Sequence, residues 1–287
     1  MHNYLRSVGL KSLDTRAKVH AYLDQITRNP DATRIIQDGE DGNLAVLTRQ
    51  FSDRMGVVLY GTVEDDMFRA DGYFPYYRSD VLSTMEACEI KKQASVDTYT
   101  GMCEDYRIGV SLIFFVNNIM TLNDPRIAGK KVQGLCLSAL ADQGKILLPV
   151  KHSEQDRENA RKEAVKRCRM IEQAKGGNTE AMEILTVDEM NLCHSVNRRI
   201  AKEDLYSVVD TFFMPDGMEC DQYALMGEIQ EVENWRNPDT GEEGYGLLLE
   251  TNQVPIWVTI QKSDLLGVPE PGYRFKGTIW LQASAEL

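Results

Sequence analysis

Four segments near the carboxyl end of the chain alternate apolar and polar residues with a period of two. That period places neighbouring side chains on opposite faces of a strand, so each segment is predicted to be a strand with one buried face. The connection before the last strand is long enough for one helical turn, an order of elements that predicts a small, partly closed barrel of the oligonucleotide/oligosaccharide-binding (OB) type. The four strands are predicted at residues 223–235, 244–251, 254–261 and 272–282.

The first half of the chain is also predicted to consist mainly of strands. Residues 4–10 resemble a short strand, and apolar residues at helical spacing before Pro30 predict one helix. Residues 130–150 predict a hairpin that turns at Asp142-Gln143-Gly144. Because strands follow one another with few helices between them, an antiparallel sheet is expected. Further strands are predicted at 43–50, 54–63, 67–77 and 105–118.

Helical spacing separates the two strand-rich parts. In residues 153–175 apolar side chains recur along one side of a predicted helix, and charged side chains cover the remainder. The predicted fold class is therefore α+β. We predict an N-terminal antiparallel-sheet domain at 1–150, a mainly helical connector at 151–219 and a C-terminal small OB-like barrel at 220–287.

The net charge and the length of the apolar stretches indicate which partners and which cellular compartment to expect. The chain of 287 residues carries a net charge of −12, which repels nucleic acids and anionic lipids at long range, so a nucleic-acid partner is disfavoured and no membrane role is expected. The longest apolar stretch, 108–116, is about half of the roughly 20 residues that span a bilayer. Charged residues among the first twenty argue against a signal peptide, so a cytoplasmic protein is expected.

Motifs that would identify an enzyme or a cofactor are missing from the sequence. The six cysteines lie singly, without the paired spacings of zinc sites or disulfide frameworks. The sequence contains no glycine-rich dinucleotide loop, P-loop, nucleophile elbow or zinc-protease motif. No cofactor is predicted, and a non-catalytic role is favoured over an enzyme.

The best candidate binding surface lies on the last two predicted strands. If their aliphatic side chains face the barrel interior, then Trp257, Trp280, Arg274 and Lys276 all face outward. Such a face suits docking against another domain or protomer, and a homo-oligomer is one form of that docking. It also suits stacking of a nucleotide, base or sugar on the two indoles. Docking is preferred, because only four Lys or Arg offset eleven Asp or Glu in residues 221–287.

A second candidate is an acidic segment in the N-terminal half. Glu64, Asp65, Asp66 and Asp71 carry the oxygen ligands that calcium or magnesium prefers, and a metal-dependent enzyme is the third hypothesis. The segment lacks the alternating acids, glycine and closing glutamate of a calcium loop. Acidic residues at a hairpin tip are more often solvated than bound to a metal, so these four are weak metal candidates.

Long stretches of the sequence resemble a family of uncharacterised bacterial proteins known only as a domain of unknown function. The resemblance runs along the whole chain and implies a bacterial cytosolic protein. It supplies no activity, ligand or catalytic residue. The leading prediction therefore remains a binding or scaffolding protein. The similar stretches are "MHNYLRSVGL", "CEDYRIGVSLIFFVNN", "YSVVDTFFMPDGMECDQYALMGEI" and "RFKGTIWLQ".

Overall fold

The computed structural model consists mainly of strands, with short helices near the N-terminus and helical positions between residues 158 and 187. This mixture of helix and mainly antiparallel strand confirms the predicted α+β class. Within the part of the chain that the structure describes, no helix is long and apolar enough to cross a membrane. The described residues are 3–37, 43–64, 67–93, 98–122, 131–150, separate helical positions between 158 and 174, 176–187, 209–217 and 219–286.

A 3₁₀ helix at Asn3–Val8 and the helix α1 at Arg16–Arg28 open the chain. Thr15 caps α1, because its hydroxyl accepts a hydrogen bond from the amide of Lys18. The strand predicted at 4–10 is wrong. Tyr4, Leu5 and Val8 are instead buried side chains of the 3₁₀ helix.

The next four strands form an antiparallel sheet, here named the N-terminal sheet, in which each strand pairs with its neighbour in sequence. This order follows from the short connections, which allow only antiparallel pairing. The meander predicted from the alternating pattern is confirmed. Its strands are β1 (Ala32–Gln37), β2 (Asn43–Gln50), β3 (Met55–Glu64) and β4 (Met67–Tyr77).

A second sheet contains the remaining strands and closes into a five-stranded barrel. The order around the barrel is β8, β12, β11, β10, β14 and back to β8, with only the β8–β12 pair parallel. Strands β7, β6 and β5 extend the sheet beyond β14, while β9 pairs with β10 and β13 with β8. The bounds are β5 (Cys88–Lys92), β6 (Tyr99–Glu104), β7 (Ser111–Val116), β8 (Gly134–Leu147), β9 (Phe212–Pro215), β10 (Gln222–Arg236), β11 (Glu243–Thr251), β12 (Val254–Gln261), β13 (Leu265–Leu266) and β14 (Arg274–Glu286).

The fifth barrel strand, β8, comes from the first half of the chain. The hairpin predicted to turn at Asp142-Gln143-Gly144 is wrong, because β8 continues through these residues and pairs with strands on both sides. Turn-forming residue types were outweighed there by pairing to two neighbours. The barrel is thus not built from residues 220–287 alone, while the division of the chain at residues 150 and 219 stays a prediction.

The barrel interior is filled by the aliphatic sides of its strands, as the alternation predicted. Ile256, Val258 and Ile260 of β12 are fully buried in one cluster with Phe275 and Ile279 of β14. A second apolar cluster lies outside the barrel and joins it to the 3₁₀ helix, α1 and the N-terminal sheet. The two clusters lie on opposite faces of the same strands, because successive side chains of a strand alternate in direction.

Candidate functional site

One outer face of the barrel, which we name the tryptophan face, is formed by Leu140, Trp257 and Trp280. Trp257 is 1% exposed and Trp280 is 4% exposed. Both rings belong to the cluster outside the barrel, so they point away from its interior, as the alternation predicted. Solvent does not cover them, however, because the N-terminal part of the chain lies on this face.

Trp280 has both an apolar cover and a polar partner within the chain. Its ring stacks on Tyr4 with the centroids 5.6 Å apart, and it packs against Phe115 at 5.1 Å. Its indole N–H donates a hydrogen bond to a carboxylate oxygen of Asp221, 2.7 Å away. Burial raises the pKa of the Asp221 carboxyl, and the bond from Trp280 opposes that rise by stabilising the carboxylate.

Trp257 is covered by Tyr77 of β4, with 6.3 Å between the ring centroids. The guanidinium carbon of Arg54 lies 4.8 Å from the indole centroid and makes a cation–π contact. A Cβ atom on Gly246 would lie 2.2 Å from the Tyr77 hydroxyl, so glycine at that position allows the two parts to approach. Neither indole offers an open face, and stacking of a base or sugar on Trp257 or Trp280 is incompatible with this structure.

Polar side chains fasten the N-terminal residues to the barrel. Ser7 donates a hydrogen bond to the carbonyl of Ala141 at 2.7 Å, and its own carbonyl accepts one from the hydroxyl of Thr259 at 3.0 Å. Asn237 donates to the carbonyl of Val8 at 2.8 Å. These bonds satisfy the backbone of a short 3₁₀ helix that is buried against the barrel, where an unpaired carbonyl would be costly.

The edge of the N-terminal sheet is joined to the barrel in the same way. Strand β4 is the last strand of that sheet, and barrel side chains take the place of a further strand beside it. Gln282 donates to the carbonyl of Pro75 at 2.9 Å. Ser138 and Asn117 donate to the carbonyl of Tyr77 at 2.6 Å and 3.0 Å. The contact between sheet and barrel is therefore both apolar and hydrogen-bonded.

Arg274 and Lys276, predicted to flank the indoles, are the first and third residues of β14, whereas Trp280 lies at the middle of that strand. Arg274 is 7% exposed and donates to the carbonyls of Leu148 and Val209. Burial lowers the pKa of its guanidinium. The ammonium of Lys276 lies 5.7 Å from the ring centroid of Phe212. The four predicted binding residues therefore do not form one surface.

The weak metal candidates are not gathered at one hairpin tip in the described structure. Glu64 ends β3 and pairs with Met67 at the start of β4, while Asp65 and Asp66 lie outside the described residues. Asp71 is exposed inside β4, at an irregularity opposite Tyr60 and Gly61. No group of three or more metal-ligating side chains occurs among the described residues. A metal site here stays a prediction.

A cleft, which we name the Asp142 cleft, opens where β8, β13 and β14 meet. Its volume is about 750 Å³, within the range of sites for small molecules. Strand β8 pairs with β14 through an irregular register, in which Ala141 opposes Ile279 and Gln143 opposes Thr278. Asp142 is the extra residue of this bulge, and bulges are known to redirect side chains. The charged residues that line the cleft are Arg6, Asp142, Lys145, Asp216, Asp264 and Lys276.

Asp142 has an unusual environment for a carboxylate. Its Oδ1 atom is buried and has no hydrogen-bond partner. Burial raises the pKa of this carboxyl most, and the charge of Asp264 adds to the rise, whereas Arg6 and nearby backbone amides act against it. Burial also raises the pKa of the Tyr4 phenol, with Asp142 the largest of the charges that add to it. A carboxyl group in this state favours a proton or an added hydrogen-bond donor.

The other carboxylates of the cleft have partners. Asp264 accepts two hydrogen bonds from the guanidinium of Arg6, at 2.6 and 2.8 Å, and a third from the ammonium of Lys11 at 2.8 Å. Asp216 accepts one from the hydroxyl of Thr278 at 3.1 Å. Asp142 therefore differs from both in having a buried carboxylate oxygen without a donor.

Sequence reasoning identified Lys276 but missed Asp142 and the cleft. The residues Asp142-Gln143-Gly144 have a high turn propensity, which conceals their position in a strand. Only the pairing of β8 to β14 creates the bulge. No local signal in the sequence reports pairing between strands so far apart in the chain.

Comparison with known proteins identifies the family and gives no activity. No curated protein and no solved structure matches this chain. The model of a family described as "Domain of unknown function, E. rectale Gene description (DUF3881)" matches residues 5–283. The resemblance to an uncharacterised family is thereby confirmed, and the chain belongs to the family DUF3881.

Proposed function

We propose that this protein is a non-catalytic, cytoplasmic binding or scaffolding protein in which the tryptophan face of the barrel docks the N-terminal sheet of the same chain. The observation that carries the proposal is the burial of Trp257 and Trp280 beneath N-terminal residues. Docking against another domain is one of the two forms predicted from the sequence, and docking against a second protomer is the other.

The energetic argument for docking rests on both indoles. An aromatic side chain of this size buries about 200 Å² relative to the unfolded chain, which at about 25 cal/mol per Å² sets an upper bound of roughly 5 kcal/mol on what each ring contributes to docking. The hydrogen bonds from Ser138, Asn117 and Gln282 to β4 add specificity, because they fit only one position of the sheet edge. A scaffold needs this combination of affinity and fixed geometry.

A second role, ligand binding, is supported at a different place from the one predicted. The Asp142 cleft is open, is large enough for a small molecule and is lined by six charged side chains. The docked N-terminal residues help to build it, since Arg6 lines the cleft and is held there by Asp264. Docking of the N-terminal sheet and binding of a ligand in the cleft are thus compatible roles of one protein.

Hydrogen exchange tests the docking proposal. In a variant with Trp257→Ala and Trp280→Ala, the amides of β2 to β4 should exchange faster, while those of the barrel interior strands keep most of their protection. Leu247→Ala is the matched control, because it opens a cavity inside the barrel and should first expose β10 to β12. Unchanged protection of the N-terminal sheet in the double variant would contradict docking.

Size-exclusion chromatography of the same variants addresses the second protomer. The parent chain and the double tryptophan variant are compared first. If the parent is an oligomer and the double variant keeps the same size, then the protomers associate through a surface other than the tryptophan face. A change of size in the double variant alone would instead favour docking between protomers over docking within the chain.

A further inference from the structure

Two cysteines face each other across the last two strands in the order of the second sheet. Cys88 is the first residue of β5, and its partner in the antiparallel register is Cys103 of β6. We propose that this pair is a site of oxidative modification. A small disulfide compound oxidises the two thiols to a reversible cross-strand disulfide, which fastens β5 to β6.

The register places the two cysteines at a position that suits a disulfide. The amide of Gln93 donates to the carbonyl of Thr98 at 2.8 Å, so these residues form a hydrogen-bonded pair of the same ladder. Hydrogen-bonded and non-hydrogen-bonded pairs alternate along an antiparallel ladder, and Cys88 is an odd number of residues from Gln93. Cys88 and Cys103 are therefore a non-hydrogen-bonded pair, in which the Cα atoms lie about 4.5 Å apart, within the range for disulfides.

Both cysteine side chains lie on the buried face of their strands. Cys103 is 1% exposed and belongs to the apolar cluster that fills the barrel, while Cys88 is half-buried and packs against the same cluster. The adjacent residues Glu89 and Met102 are exposed on the other face, as alternation requires. Because the backbones are already within range, the bond needs rotation of two side chains and no change of register.

The reaction is a thiol–disulfide exchange in two steps. Cys88, the more accessible of the two, attacks one sulfur of the small disulfide as a thiolate, and one small thiolate leaves. The thiolate of Cys103 then attacks the Sγ atom of Cys88 in the mixed disulfide and releases the second small thiolate. The protein thiols lose two electrons and two protons, and the small disulfide takes up both to become two thiols.

Burial slows this reaction without disfavouring its product. Burial raises the pKa of the Cys88 thiol, and it raises that of Cys103 to about 12. The charges of Asp105 and Glu86 add to the rise at Cys103, whereas the hydroxyl of Thr84 opposes it. Since the thiolate is the attacking form, the rate should increase about tenfold per pH unit near neutral pH. The disulfide itself is uncharged and suits an apolar cluster, and no stabilised thiolate favours its reduction.

Peptide mapping of the folded full chain tests the proposal. The protein is incubated with 2-hydroxyethyl disulfide, the remaining thiols are alkylated, and the chain is digested with trypsin. Cleavage after Lys91 and Lys92 separates the two cysteines, so the disulfide would join peptides 79–91 and 93–107. The joined peptides should be the main intrachain link and should separate on treatment with 2-mercaptoethanol. Their absence under conditions that modify the exposed Cys220, or an equal yield of other links, would overturn the proposal.

Serine variants distinguish this site from general oxidation of thiols. Cys88→Ser, at the half-buried position, should abolish the joined peptides, and so should Cys103→Ser. Cys220→Ser is the control, because this exposed cysteine lies outside the pair and its loss should leave the rate of link formation unchanged. Joined peptides that form more slowly in Cys220→Ser would mean that Cys220 relays the oxidation, which would contradict direct attack by Cys88.

Hydrogen exchange shows whether the link fastens β5. In the oxidised parent chain, the amides of β5 should exchange about tenfold or more slowly than in the reduced chain, because the link removes open conformations of the strand. The amides of β2 to β4 should exchange at the same rate in both, so this result is independent of the docking proposal. Equal exchange of β5 before and after oxidation would refute the fastening of that strand.

Discussion

The outside of the barrel has two faces whose side chains follow the same alternation along the strands. One face is covered by the rest of the chain, and the other is open. The tryptophan face is covered by the N-terminal sheet, and Trp257 and Trp280 are nearly inaccessible there. The Asp142 cleft, the second of these faces, lies further along the outward side of β8 and β14 and is lined by six charged side chains. In both places the residues point away from the interior of the barrel.

The difference between the faces lies in what each surface meets. On the tryptophan face, apolar rings meet apolar rings and the edge of β4 meets donors from the barrel. In the cleft, one carboxylate oxygen has no donor and two lysines oppose each other. A covered apolar face serves the assembly of the chain, whereas a concave place lined by charged groups is a candidate ligand site.

The largest expected effect is on the covered face. Trp257→Ala should lower the free energy of unfolding by about 3–5 kcal/mol, because it removes a fully buried ring and leaves a cavity. Urea unfolding followed by circular dichroism measures the change. The control on the open face is Leu266→Ala, a residue that is 74% exposed at the rim of the cleft, which should change the value by less than about 0.5 kcal/mol. Similar costs for the two variants would remove the distinction between the faces.

The polar part of the covered face should give the next largest effect. Asn117 donates to the carbonyl of Tyr77 and accepts a bond from the hydroxyl of Ser284 at 2.7 Å. Its replacement by Ala leaves the buried Ser284 hydroxyl without its acceptor and removes one of the two bonds to the Tyr77 carbonyl, which Ser138 still satisfies, so it should cost about 1–3 kcal/mol in the same urea experiment. Asn234→Ala, at an exposed position of β10, serves as the control. A cost no larger than that of Asn234→Ala would show that the bonds across this contact contribute little.

A matched pair of substitutions compares the two indoles themselves. Trp280→Phe leaves Asp221 without the bond from the indole N–H, whereas Trp257→Phe removes an N–H that has no partner. The change at 280 should therefore be the more destabilising by about 1–2 kcal/mol. Comparison of the two urea midpoints, at equal slopes, tests this order. The reverse order would mean that ring packing outweighs the hydrogen bond.

The smallest expected effect, and one of opposite sign, belongs to the open face. The pKa of Asp142 is raised in the folded protein, so the folded state holds this proton more tightly than the unfolded state. Stability from this group is present at low pH and lost as the pH rises through the folded pKa. Asp142→Asn should therefore be more stable than the parent at neutral pH, and the difference should shrink below about pH 4.

Thermal unfolding across a pH series measures that difference. Leu266→Ala, which does not titrate, provides the reference for general effects of pH. A parent chain that is more stable than Asp142→Asn at neutral pH would show that the carboxylate has a partner in the folded protein, and would weaken the assignment of the cleft as an open site.

Sequence patterns determined much of the architecture. The period of two located the barrel strands and the outward direction of Trp257 and Trp280, because alternation is a local property of an extended backbone. It also predicted the meander of the N-terminal sheet. Local preference failed at residues 4–10, where the chain forms a 3₁₀ helix at Asn3–Val8 instead of a strand, and at Asp142-Gln143-Gly144, where strand pairing overrode turn propensity.

Only the tertiary structure decided which outward face is covered and which is open. The cover of Tyr77 over Trp257, the bulge at Asp142 and the register of Lys145 with Lys276 each depend on strands that are distant in sequence. The direction in which a side chain points follows from its position in the alternation along one strand. Its surroundings follow from the way in which whole strands and sheets pair. The sequence therefore determined where these side chains point, and the fold determined what they meet.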